Sequence, residues 1–157
     1  MNNHSITLHG PSEFESMRRA GQLASDVLDY LTPFVKPKIT TGYLDDLAHE
    51  FIISKGATPA PLNYKGFPKS TCISVNHVVC HGIPGGKILN PGDILNIDVT
   101  VILDGWYGDT SRMFFSGVPS IKAKRLCEVT HKCLMAGIEA TKPGATLGDL
   151  GFAIQSL

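Results

Sequence analysis

The chain has no apolar run long enough to cross a bilayer, and its opening, MNNHSITLHG, lacks both the basic segment and the apolar stretch of an export signal. An excess of charge is missing too, since 14 Lys and Arg offset 14 Asp and Glu. That balance argues against non-specific nucleic-acid binding and against a polybasic membrane contact. Cysteine is sparse: Cys72, Cys80, Cys127 and Cys133 form no C-x-x-C pair and no zinc-ribbon spacing. Cys127 and Cys133 lie on different faces of a helical pattern, so reduced and mostly buried thiols are the expected state. What remains has the composition of an ordinary soluble protein, and 157 residues are enough for one domain with a substantial core. The expected location is the cytoplasm, with neither a membrane nor a specific nucleic acid as partner.

Helix signals are strong at both ends of the chain. Ser12 and Glu15 form a capping box behind Pro11, and Phe14, Met17, Ala24, Val27, Leu28 and Leu31 give a first helix its apolar stripe. Pro33 and Pro37 stop it. A second helix starts near Thr41, turns Leu44, Leu47, Ala48, Phe51 and Ile52 inward and ends at Gly56. Residues 57–70, ATPAPLNYKGFPKS, are punctuated by Pro and Gly and read as a surface loop. Short β segments are expected at residues 71–75 and 78–81, both rich in β-branched side chains. Later, Pro119 and Ser120 open a third helix carrying Ile121, Leu126, Val129, Cys133 and Ile138, which ends near Lys142-Pro143-Gly144. Thr146 and Asp149 form the capping box of a fourth, running through Leu150 and Ile154 to Leu157.

Between these helices, residues 94–115, ILNIDVTVILDGWYGDTSRMFF, read as two strands joined at Asp104-Gly105. That dipeptide suits a type I′ two-residue turn, in which both central residues need φ > 0. If Leu103 and Trp106 close the turn, Asp98 pairs with Ser111 and Thr100 with Asp109. Alternation then gives one face Ile97, Val99, Val101 and Leu103, with Trp106 and Phe114 across from them. The opposite face takes Asn96, Asp98, Thr100, Asp109 and Ser111. Asp98 and Asp109 become diagonal neighbours, with Cα atoms roughly 7–8 Å apart. A merely wet face would gain nothing from two adjacent like charges, and Asp and Asn are poor strand residues. Carboxylates so placed could bind one or two hard cations.

The chain also echoes itself. Pro11-Ser12 before a long helix recurs as Pro119-Ser120, and Lys36-Pro37, Thr40, Gly42 and Leu44 recur as Lys142-Pro143, Thr146, Gly148 and Leu150. The expectation is one complete α-α-β unit over residues 12–117 and the opening of a second over 118–157, truncated before its strands.

CISVNHVVCHGIP adds His77 and His81, which share a face if this stretch is a strand. A zinc-protease reading of that spacing fails, because it needs a helix and a Glu after the first His. His81, followed by Gly82 and a Pro-fixed turn, is placed to project into a cleft.

The segments KSTCISVNHVVCHGIP and GDILNIDVTVILDGWYGDTSRMF together resemble the first half of the type I methionine aminopeptidases, bacterial members of the pita-bread metallopeptidases. The resemblance runs from Phe14 to Leu157. It implies an α+β fold in which two α-α-β units surround a curved antiparallel sheet, and an enzyme that removes the initiator methionine from nascent chains, with nascent-chain N-termini near the ribosome as partners, in a family usually monomeric. Asp98 matches an aspartate that chelates one divalent metal, and Asp109 one that bridges two. His81 matches the histidine that hydrogen-bonds the scissile amide. Tyr64, Phe67 and Cys72 match the lining of the methionine pocket, and Asn76 and Val78 a monovalent-cation site. The implied cofactors are two divalent ions, Co, Mn, Fe or Zn, holding a hydroxide between them. The family's other ligands, a histidine and two glutamates, belong to its second half, so these residues alone are expected to bind metal weakly and cleave little. The competing readings are a non-catalytic module that binds peptides or a partner, and a prolidase-like enzyme, the latter disfavoured by CHGIP.

Overall fold

The computed structural model describes residues 6–157, in the order α1 (Pro11–Leu31), α2 (Thr41–Ser54), β1 (Thr58–Pro59), β2 (Cys72–Val75), β3 (Ile94–Leu103), β4 (Trp106–Phe115), α3 (Ile121–Ala140) and α4 (Leu147–Gln155). Two compact units form, Met1–Val118 and Pro119–Leu157.

In the first unit the central strand is β3. One of its edges carries β4 along its whole length, and the other carries β2 and then β1, all antiparallel. The hairpin has the register expected from Asp104-Gly105: Asp98 faces Ser111 and Thr100 faces Asp109. Both turn residues lie in the left-handed region, Asp104 at φ 51° and Gly105 at φ 82°. Leu95, Ile97, Val99 and Val101 are fully buried on one face and join Ala24, Val27, Leu28 and Leu31 of α1 and Leu44, Ala48 and Ile52 of α2. Each such aliphatic side chain contributes roughly 1.5–3 kcal/mol by leaving water. Helices therefore cover one face of the sheet and leave the other for the site.

Gly108 governs how closely α1 approaches. A Cβ placed there would lie 2.0 Å from the carbonyl oxygen of Ala20, so helix backbone rests almost on strand backbone. Farther along the same face, Arg112 donates to Asp29 of α1 at 2.7 Å and clips the helix to β4.

Several expectations need correction. The N-cap of α1 is Gly10 rather than Ser12, and its amide donates to the Glu13 carboxylate at 2.8 Å, while Glu15 faces Arg18. Phe14 and Met17 are about half exposed (47% and 48%), because the first turns of α1 overhang the core and burial begins at Ala20. Residues 78–81 form no strand, and Val79 is 91% exposed. Asn76 (φ 54°) turns the chain out of β2, and His81 (φ 54°) turns it back. Gly82 then rejoins β2, its carbonyl accepting from the Ile73 amide at 2.8 Å, with no room for a Cβ. Residues 57–70 are not wholly a surface loop either. Thr58 and Pro59 pair with Ile102 and Val101, and Ser70 is buried. Cys80 is exposed, leaving Cys72 as the one thiol in the core.

In the second unit α3 and α4 pack together at Gly137, where an added Cβ would come within 3.2 Å of Leu150 and Ile154 side-chain atoms. Ser120 caps α3 by accepting from the Ala123 amide, and Thr146 with Asp149 forms the expected capping box of α4. The internal echo has a conformational counterpart. Thr40 caps α2 as Thr146 caps α4, and Lys38 and Gly144, at equivalent positions, both adopt positive φ.

Replacing Gly108 by Ala is expected to destabilise the first unit by about 2–3 kcal/mol, because backbone and not a flexible side chain must yield. Urea unfolding followed by Trp106 fluorescence checks this, and a midpoint equal to the wild type contradicts the close helix–strand contact.

Candidate functional site

The face of the sheet turned away from the helices lines a pocket of about 800 Å³. Its floor is the hairpin: Asp98 and Thr100 from β3, Tyr107 and Asp109 from β4. Cys72, opposite Asp98 in the β2–β3 register, stands on the same face. The remaining walls come from two excursions of the chain. Residues 60–71 leave the β3 edge where the Ala60 amide donates to the Thr100 carbonyl (2.9 Å) and return at Cys72, bringing Tyr64 and Phe67 over the floor. The second excursion follows β2 and returns His81 and Ile83 to the rim.

The two carboxylates are differently supported. Asp109 accepts from the Thr100 hydroxyl at 3.0 Å, directly across the strand pair. Among the described residues, neither Asp98 nor Asp109 forms an ion pair with Lys, Arg or His. Burial pushes the Asp98 carboxyl above the ordinary aspartate range, the Asp109 charge adds to the push, and His81 partly counters it. Burial and then the Asp98 charge raise the Cys72 thiol to about 11, so it remains a neutral, polarisable wall group at physiological pH. Two close carboxylates without a basic partner form a hard-oxygen donor set that suits a divalent cation. Among the described residues, no three metal-ligating side chains come together, so an ion held by this pair would need further donors.

Of the residues singled out in the sequence, Asp98, Asp109, His81, Tyr64, Phe67 and Cys72 line this one pocket. Asn76 and Val78 do not. The Asn76 side chain accepts from the Ile94 amide and donates to Asp93, and the Val78 amide donates to the Val75 carbonyl. His77 lies outside the pocket as well, since the strand that would have put it beside His81 is absent. Lys65, Ile83 and Tyr107 were missed. Tyr107 could have been found by extending the site face two residues beyond Asp109, whereas nothing local marks Lys65 or Ile83.

Residues 15–157 match metallopeptidase family M24. The chain belongs to that family. Among its M24 relatives it is 62% identical to the methionine aminopeptidase of Rickettsia prowazekii (strain Madrid E) over 151 residues, covering 96% of this chain and 58% of that protein. It is 49% identical to the methionine aminopeptidase of Escherichia coli (strain K12) over 152 residues, with coverages of 96% and 58%. The crystal structure of the Rickettsia prowazekii enzyme matches with a TM-score of 0.94 at 62% identity, over 97% of this chain and 61% of that one. An M24 fold of lower identity, the Xaa-Pro dipeptidase from Bacillus anthracis, matches at 19% with a TM-score of 0.83, over 95% and 41% of the two chains, a likeness of fold alone. The architecture is therefore the pita-bread α+β fold, and M24 is a metal-dependent peptidase family. The chain spans about three-fifths of the length of the relatives it matches.

Burial beside Asp109 makes the charged form of Asp98 unfavourable to folding. Its folded pKa lies above the unfolded one, so the penalty is absent well below the ordinary aspartate value, grows as pH rises through the raised folded value, and is full at neutrality. Asp98→Asn should raise the melting temperature of the metal-free chain at pH 7 and leave it unchanged near pH 3. Thermal melts at the two pH values check this, and a variant less stable than wild type at pH 7 would contradict the crowding of charge.

Proposed function

We propose that this chain supplies the methionine-side-chain pocket and two metal-binding carboxylates of an aminopeptidase that removes the initiator methionine from nascent cytoplasmic proteins. The observation that carries the reading is the convergence, in one pocket, of two carboxylates without basic partners, an imidazole, and a wall of Tyr64, Phe67 and Cys72. Membership of M24 and identity to methionine aminopeptidases support it.

Asp98 and Asp109 hold the divalent metal, in this reading two ions drawn from Mn, Fe, Co or Zn. When bound, such metal supplies Lewis-acid activation of water and of the scissile carbonyl. Thr100 fixes one Asp109 oxygen and so aims the other. His81 donates to the scissile amide and steers the departing group. The aromatic rings and the neutral thiol receive the thioether, and discrimination per methylene stays modest in such a slot. Two carboxylates are too few for tight dinuclear binding, so among the described residues they supply only part of the shell that this reading needs. Residues 12–117 act as one α-α-β unit, and residues 118–157 open the second.

The chain alone should bind Mn²⁺ weakly in calorimetry, and Asp98→Ala should abolish the heat. Joined to the sequence that completes its relatives, it should release methionine from Met-Ala-Ser in a Mn²⁺-dependent way and leave X-Pro dipeptides intact. There His81→Ala should lower kcat about 10²–10³-fold with metal binding retained. No turnover by the completed chain would remove the enzyme reading in favour of a peptide-binding module.

A further inference from the structure

Among the described residues, the hydrogen bonds that tie the wall carrying Tyr64 and Phe67 to the rest of the protein lie at its ends. Within residues 61–68 the backbone hydrogen bonds described close on the loop itself: Tyr64 to Pro61 (3.0 Å), Asn63 to Phe67 (2.8 Å), Gly66 to Asn63 (3.4 Å) and Phe67 to Tyr64 (2.9 Å). Asn63, Lys65 and Gly66 all have positive φ, which coils the segment into a compact knot. Its upstream end is pinned where Ala60 meets Thr100.

The downstream end is pinned by α2. Asp45 is only 3% exposed and does not line the pocket. Its Oδ1 accepts from the Ser70 amide (3.1 Å), the Thr71 amide (2.8 Å) and the Thr71 hydroxyl (2.7 Å). Its Oδ2 faces the Lys69 ammonium at 3.7 Å, and that ammonium also faces Asp46 at 3.8 Å. One turn farther along α2, His49 Nδ1 lies 2.8 Å from the Ser70 hydroxyl. Three successive residues of the loop are thus bound to a single stretch of helix, and the residue after them is Cys72. A buried carboxylate satisfied by several charge-assisted bonds fixes geometry tightly.

We propose that Asp45 is a positioning residue that sets the stance of the Phe67–Cys72 wall, and with it the fit of the substrate side chain, without touching substrate or metal. This rests on the reading of the pocket as a methionine slot. Loosening the clamp moves the wall and leaves Asp98 and Asp109, carried by the hairpin, where they are.

The test uses the 157-residue chain and needs no turnover. Labelling of Cys72 by methyl methanethiosulfonate is followed by peptide mass spectrometry, with and without free methionine, in wild type, Asp45→Asn, Asp45→Ala and Thr71→Val. Asn retains an acceptor oxygen for Ser70 and Thr71 but loses the charge that Lys69 faces, so it should label Cys72 faster than wild type and slower than Asp45→Ala, and Thr71→Val, which removes one bond and keeps the shape of the side chain, decides the matter if Asp45→Ala does not fold. Thr71→Val should label Cys72 about five times faster and need about five times more methionine for half-protection, a loss on the scale of one ordinary net hydrogen bond, since the two amide bonds to Asp45 are kept. Its near-ultraviolet circular dichroism should stay unchanged. Labelling and half-protection equal to wild type in Thr71→Val overturn the proposal, as does a change that accompanies loss of the folded signal. Absence of methionine protection in the wild type counts instead against the slot reading, and the labelling rates still decide the role of Asp45.

Discussion

The register of the β3–β4 hairpin is the constraint on which the rest of the site depends. Side chains alternate across a strand, so a slip of one residue would send Asp98 into the helix-covered core and Val99 onto the site face. Two features make such a slip costly. Asp104 and Gly105 hold the left-handed geometry that a two-residue turn needs, and Gly108 meets the backbone of α1 where no side chain fits. Fully buried Leu95, Ile97, Val99 and Val101 add the apolar penalty for any other pairing. The same interactions that stabilise the fold therefore also crowd two negative charges together.

That crowding carries a thermodynamic conflict. Asp98 is half-buried beside Asp109, among the described residues it forms no ion pair, and His81 only partly counters the push that burial and the Asp109 charge exert on it. Elsewhere the chain handles its acids differently. Asp45 is deeply buried yet surrounded by donors, and Asp29 is answered by Arg112. The contrast marks the hairpin pair as the place where like charge is left uncompensated, as the proposed metal-binding role would require.

The hairpin was legible in the sequence because its information is local: a turn dipeptide flanked by alternating apolar residues fixes pairing, faces and the diagonal of carboxylates. The helix caps of α3 and α4 were legible for the same reason. The cap of α1 was misread by two residues because Gly10 has no side chain to advertise its position and Ser12 offered a stronger apparent signal. The strand expected at residues 78–81 failed for a tertiary reason. Val78 and Val79 favour extended backbone, but left-handed Asn76 and His81 throw the segment outward, and Gly82 alone is taken back to β2. Lys65 and Ile83 reach the pocket through loop paths that no periodicity encodes. The family resemblance identified the pocket residues that spacing could not connect, although Asn76 spends its side chain on Asp93 and Ile94.

β1 and β2 share a single edge of β3, with residues 60–71 bulging between two pairing positions that are close neighbours on that strand. The bulge behaves as an insert whose endpoints are fixed and whose contents are free. Evolution can rewrite its tip, in length or in chemistry, without shifting the strand beneath. On the proposed reading, selectivity for a side chain and the capacity to hold a metal would occupy separate pieces of covalent structure, and divergence in the first need not erode the second.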